Sequence, residues 1–356
     1  MKRIDKIAGL LLTLSVGLLS ACSDKTEDIK FQSSGVEVNL TVAPTTLWGQ
    51  PLVEGSTSRA GSTGPIDSWY NTPVHMAYGQ SSDFSSLGHR LALKGNVFGS
   101  ITTFSPQLFY PTLETIYMKG FYPRAEGLTT GPIVGYGKTA EIIVSNQIEY
   151  TIDGSYDIMV SNGLSGSSAT PISGILTYRH LLTQFSFILV GNGSFPSSAR
   201  VRKIELRNVR TDAVLNLAPE YNGLGHTDAS YPLTFTDSPT KTIVAFENST
   251  GVVVPNITPP SAVGHVMFQP AGDKVPTFKI YVTIATANHA TGLIEDKDYP
   301  IDNLTLPVVG SDNSAKAGHH YDITLTFASF ATGPAITSTT TVVVPPATVW
   351  PTSEYW

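Results

Sequence analysis

The segment Tyr321-Asp322-Ile323-Thr324-Leu325-Thr326-Phe327 decides the fold class. Its apolar residues Tyr321, Ile323, Leu325 and Phe327 alternate with Asp322, Thr324 and Thr326, a period of two that puts four apolar side chains on one face of a strand. Working outward, Phe278, Ile280, Val282 and Ile284 repeat the pattern against Lys279, Tyr281 and Thr283. Val36, Val38, Leu40 and Val42 repeat it again against Glu37, Asn39 and Thr41, which predicts one clean strand over 36–42. Further strands are expected over 74–78, 91–98, 115–122, 141–144, 156–160, 183–190, 202–209 and 264–268. No amphipathic helical stripe of useful length interrupts the series after Gly35. The class is therefore all-β, and many short strands spaced by Gly, Pro, Asn and Ser point to β-sandwiches.

A chain of 356 residues fits two domains at about 100 to 200 residues each. The apolar pattern lapses over Ser161–Ser173 (SNGLSGSSATPIS), which marks the expected boundary between two sandwiches. A second soft stretch, Glu54–Ser68, separates the first strand from everything after it. Lys and Arg number 22 against 28 Asp and Glu, so there is no cationic field for nucleic acid. The single cysteine, Cys22, allows neither an internal disulfide nor a thiolate-rich metal site. The eight histidines form no His-x-x-x-His or HExxH pair. His319 and His320 are adjacent, so in a strand their rings point to opposite faces, and the pair reads as the start of a strand. Glu295, Asp296, Asp298 and Asp302 lack EF-hand spacing and read as a solvated acidic loop. No catalytic constellation stands out, and neither enzymatic activity nor a cofactor or metal is expected.

The N-terminus carries an address. Lys2, Arg3 and Lys6 precede an apolar run from Ile7 to Leu19, and Ser20-Ala21-Cys22 follows. This is the layout of a secretory signal over residues 1–21, with an apolar run too short to span a membrane comfortably. Leu19-Ser20-Ala21-Cys22 resembles a bacterial lipobox, in which Cys22 is acylated and becomes the mature N-terminus; an ordinary signal peptide with a bystander cysteine is the alternative. Several acyl chains on one cysteine would hold the protein at a membrane, at about 0.8 kcal/mol per buried methylene.

Three further stretches carry a resemblance. Leu176-Thr177-Tyr178-Arg179-His180-Leu181-Leu182-Thr183-Gln184-Phe185-Ser186-Phe187, then Lys203–Val209 leading to Leu215-Asn216-Leu217, then Gly318-His319-His320-Tyr321-Asp322-Ile323-Thr324-Leu325 resemble, in that order, motifs of the fimbrillin family. These are lipoprotein precursors of type V pili from Bacteroidales-type anaerobes. The resemblance implies two tandem transthyretin-like β-sandwich domains. Their expected limits are 60–172 and 173–330, behind a propeptide at 22–59 and ahead of a donor-strand segment at 331–356.

The resemblance also implies a mechanism of assembly, in which the first strand, with Val36, Val38, Leu40 and Val42, completes the N-terminal sandwich until an arginine-specific protease cuts the loop after it. Arg59, flanked by Ser58, Ala60 and Gly61, is the expected cut, leaving Ala60 as the new N-terminus; an ordinary loop arginine is the bland alternative. The vacated groove would take the C-terminal strand of another copy or a related pilus subunit. In that tail Ile336, Val342, Val344, Trp350 and Trp356 share one parity, and its last twenty residues reach roughly 65 Å when extended. A tail folding back on its own chain as an edge strand is the alternative. The expected location is the outer membrane through lipid before cleavage, then the cell-surface fimbrium. A lipid-retained pilus anchor or a surface glycan-binding lipoprotein is the other reading.

Overall fold

Where alternation is strongest in the sequence, strands form. The computed structural model describes residues 33–42, 74–84, 87–94, 101–105, 107–122, 141–144, 146–191, 199–221, 229–254, 261–270, 279–287, 294–301, 304, 306, 315–328 and 335–342. In chain order the first strands are β1 (Ser33–Glu37), β2 (Leu40–Val42), β3 (Val74–Gly79), β4 (Leu87–Lys94), β5 (Ile101–Ser105), β6 (Phe109–Pro111) and β7 (Ile116–Tyr122). The next are β8 (Glu141–Val144), β9 (Gln147–Thr151), β10 (Met159–Ser161), β11 (Leu164–Gly166), β12 (Ile175–Leu176), β13 (Tyr178–His180), β14 (Thr183–Gly191) and β15 (Arg200–Val209). The last are β16 (Asp212–Asn216), β17 (Leu233–Phe235), β18 (Lys241–Val253), β19 (Ser261–Phe268), β20 (Lys279–Ala287), β21 (Ile294–Ile301), β22 (His320–Ala328) and β23 (Ala335–Val342). The fold is all-β, as the alternation predicts.

The larger core is a sandwich. One wall has the order β19-β14-β22-β23 and the other β18-β15-β20-β21. Phe185, Phe187 and Leu189 of β14 and Tyr321, Ile323, Leu325 and Phe327 of β22 lie in one core with Val201, Ile204 and Leu206 of β15 and Ile280, Val282 and Ile284 of β20. Phe185 meets Phe268 and Tyr321 edge-on, with ring centroids 4.6 and 5.7 Å apart. A third four-stranded sheet, β17-β16-β9-β8, adds Ile148, Tyr150, Ala213 and Leu215 to the same core.

The smaller core lies against a nine-stranded sheet with the order β12-β2-β5-β4-β3-β7-β10-β13 and β11 added to β7. Alternate residues of this sheet serve different cores. Met76, Tyr78, Met118, Tyr122 and Met159 enter the smaller core, whereas Ala77, Phe121 and Val160 enter the larger one. The period-two pleat thus makes the sheet a wall between them.

Four expectations differ from what the structure holds. Residues 36–42 are not one strand, because β1 pairs with β6 in a separate two-stranded sheet and β2 joins the nine-stranded one. Gly35 has φ +77°, and four residue steps of β1, Ser33 to Glu37, span only two of β6, Pro111 to Phe109. That bulge re-aims the strand and leaves Val36 39% exposed. Second, β4 begins at Leu87, ahead of the expected 91. Third, the expected boundary falls within a sheet, since β11 pairs with β7, and β12 and β13, placed by expectation in the second domain, pair with β2 and β10. Packing explains this: Tyr178 fills the space over Gly120, where a Cβ would stand 1.9 Å from its hydroxyl. Fourth, the acidic stretch is strand β21, whose Asp296 and Asp298 are held by Arg202 at 3.0 Å and Arg207 at 2.5 Å. Charge on the outward face of an edge strand suits a sheet margin.

Candidate strand-exchange site

The residues expected to exchange sit at opposite ends of the described chain. Cys22, Arg59, Ala60, Val344, Trp350 and Trp356 lie outside the described residues. Of the leader strand, Val38 and Leu40 are 0% and 1% exposed. They share the smaller core with Met76, Tyr78, Phe104, Leu108, Tyr110, Met118 and Leu176. Strand β2 lies between two neighbours: Leu40 is opposite Thr102 of antiparallel β5, and Val42 is opposite Leu176 of parallel β12. Just before it, the Val38 amide donates to the Leu108 carbonyl at 2.9 Å. In β1 the Ser34 hydroxyl donates to the Tyr110 carbonyl at 2.8 Å. The Tyr110 hydroxyl in turn accepts the Ile172 amide at 2.7 Å, and burial pushes its pKa up. The leader is thus tied to β6 and to the 172–176 segment.

Strand β2 is lightly held in the sheet. Its ladders are short, two rungs to β5 and two to β12. Its buried Leu40, and Val38 just before it, are worth about 1.5–3 kcal/mol each. Removing it would unpair one edge of β5 and uncover apolar side chains of the smaller core, leaving a slot that accepts an extended segment with alternating apolar residues.

The tail behaves differently. β23 pairs antiparallel with β22 from Tyr321–Val342 to Ala328–Ala335, so Ile336 and Val342 are held on the chain's own sheet. The sequence Ala-Ile-Thr-Ser-Thr-Thr-Thr-Val is rich in β-branched residues, and β22 would otherwise present a bare edge. The part of the expected donor segment that the structure describes is therefore an edge strand of the larger sandwich.

Two buried polar sites escaped the sequence analysis. Lys119 of β7 is 0% exposed and donates to the carbonyls of Leu217 at 3.0 Å and Pro219 at 2.5 Å, with Glu220 at 3.4 Å. Burial lowers its pKa and Glu220 counters that. His180 pairs through Nδ1 with the buried carboxylate of Asp157. The signal for Lys119 was a lysine between apolar residues of both parities in Ile116–Tyr122; for His180 the partner lies 23 residues away and no local pattern marks it. Among the described residues no group of three His, Cys, Asp or Glu side chains is arranged to hold a metal ion.

No protein-family model and no characterised protein sequence matches the chain. Its fold is similar to the solved structure of a Bacteroides uniformis protein assigned to cell adhesion, at 14% identity over 87% of this chain and 99% of that one, with a TM-score of 0.51. A Parabacteroides distasonis protein with the same assignment is similar at 9% identity over 88% and 98%, with a TM-score of 0.50. A Bacteroides vulgatus fimbrial protein gives 11% identity over 76% and 92%, with a TM-score of 0.44. The chain shares its all-β fold with the first two of these proteins.

Proposed function

We propose that the protein is a fimbrillin-type structural subunit of a cell-surface fimbrium that supports adhesion and polymerises by exchange of strands. The observation that carries this reading is the place of β2: this short strand supplies Leu40, and Val38 just ahead of it enters the same smaller core, while β2 is flanked by only two rungs on each side. A long stretch of sequence, 43–73, separates it from β3, and Arg59 lies within that stretch. The assignment of two proteins of the same fold to cell adhesion supports the reading.

In this scheme the chain is exported as a lipoprotein through Cys22 and waits in the outer membrane. An arginine-specific protease cuts between Arg59 and Ala60, and the leader with Val36, Val38, Leu40 and Val42 departs. The tail of a neighbouring subunit, with Ile336, Val342, Val344, Trp350 and Trp356 as anchors, fills the slot. The two cores correspond to the two transthyretin-like modules. β23 is then stored on its own sheet before assembly, and leaves it to be donated.

The test is N-terminal sequencing of protein sheared from intact cells. A product beginning at Ala60, and polymer ladders that vanish when residues 336–356 are deleted, are the expected results. Fibres whose subunits all begin at Cys22 would refute exchange at the leader. The pairing of β23 with β22 favours one second reading, a subunit that keeps its tail and stays at the membrane as an anchor. It predicts a lipid-bearing chain at the fibre base only.

A further inference from the structure

Strand β22, which holds β23, also carries one half of a buried histidine pair. His320 begins β22 and is 4% exposed; His265 on β19 is 2% exposed. In register His265 stands opposite Ser186 of β14, and Ser186 stands opposite Asp322 of β22. Gln184, 1% exposed, stands opposite His320. Neither ring nitrogen of His265 has a hydrogen-bond partner, nor has Nδ1 of His320 or either amide atom of Gln184. His320 uses Nε2 alone, at 2.7 Å from the Ser186 hydroxyl and 3.2 Å from the Asp322 carboxylate. Buried polar atoms are nearly always paired, so a group of unpaired ones on a single sheet face calls for a reason.

The charges around the pair are few. β14 and β23 have no ionisable side chain, β19 has only His265, and β22 has His320, Tyr321 and Asp322. β18, which packs on β19, brings Lys241 and Glu247, and Glu247 stands opposite Lys203 of β15. At the foot of the sheet, His319 contacts the Ala317 carbonyl through Nδ1, and His180 is paired with Asp157. A proton on His320 has Asp322 as counter-ion; a proton on His265 has none.

The register then links the pair to the tail. The last β22–β23 rung is Tyr321–Val342, so His320 lies one residue beyond it, at the Val342 end of the pair. Hydrating a charged His320 is easiest if that end opens. We propose that His265 and His320 form a proton-sensitive latch on β23: neutral, they stay buried and β23 stays docked, whereas protonated, they draw water into the β22–β23 end and release the tail. This deepens the strand-exchange reading, and it is measured on the single chain without any assembly, so its failure leaves that reading standing. Burial and the neighbouring His320 hold His265 down at about 4, against its ordinary 6.5, which places the response on the acid side of neutrality.

The experiment is amide hydrogen exchange of the full chain at pH 7.5 and pH 5, corrected for intrinsic exchange and read peptide by peptide. Opening of β22–β23 should rise roughly tenfold at pH 5, with a ceiling of about 30-fold set by His265, and at both pH values β22–β23 should open far more readily than β15–β20, whose amides follow global unfolding alone. His265→Gln and His320→Gln should each flatten the response of β22–β23. Opening of β22–β23 only together with β15–β20, or an unchanged response in both variants, would overturn the latch. If neither variant folds, ring titration of the native histidines by NMR decides: titration of His265 without movement of the β22–β23 amides overturns it, and joint movement supports it.

Discussion

The two cores differ in where their strands come from. The four-stranded sheets of the larger sandwich are made by residues 141–342, the nine-stranded sheet adds one more wall, and the central strands β14 and β22 pair over eight rungs. The smaller core takes Val38 and Leu40 from the N-terminal segment, Leu40 on a strand of three residues and Val38 just before it. The larger core is built around long ladders, and the smaller one is completed by a short, lightly paired segment. In the proposed exchange the element that leaves is one with few rungs, as expected where a strand is to part without unfolding the rest.

The largest effect expected is from the larger core. Phe185→Ala removes a ring that meets three others, and should cost about 3–5 kcal/mol by denaturant titration, with loss of all native signal in one transition. Leu40→Ala should cost about 2–4 kcal/mol, but with exchange protection lost first in β5, β12 and β3 while β14 and β22 stay protected. If both regions melt together in Leu40→Ala, the contrast between the cores fails.

Acid should act on the larger sandwich instead. The pKa of His265 is lowered to about 4 when folded, so below its ordinary 6.5 the unfolded chain binds a proton that the folded chain refuses. Stability therefore falls as pH drops from 6.5 to 4, by up to about 3 kcal/mol, and the fall should disappear in His265→Gln. The smallest effect belongs to the outer charge ladder, where Arg207 donates to Asp298 at 2.5 Å and stacks over Tyr281. The Arg207 hydrogen bond holds Asp298 below its ordinary range. Both side chains are about a third exposed, so Asp298→Asn should cost under about 1 kcal/mol, less still at high salt.

Much of this architecture is legible as alternation. The interiors of β3, β7, β14, β15, β19, β20 and β22 declare themselves, because burial on one face demands a period of two. Three kinds of element do not. β21 hides because its outward charges lie on an edge strand, which leaves its sequence looking like a loop. The break between β1 and β2 hides because a bulge around Gly35 leaves the Val36–Val42 pattern intact while turning Val36 outward. β23 hides because its threonines suit any sheet edge, its own chain's or another's. At the candidate site, the burial of Val38 and Leu40 is readable from their alternation. The Lys119 and His180–Asp157 pairings are not, since their partners come from strands and turns remote in sequence.

One consequence follows from the antiparallel pairing of β22 with β23. The Tyr321–Val342 rung is the last of that pair, at the C-terminal end of β23. A mechanical tug on that end loads a single rung at a time, so β23 peels like a zipper under small force and never resists as a sheared block of eight.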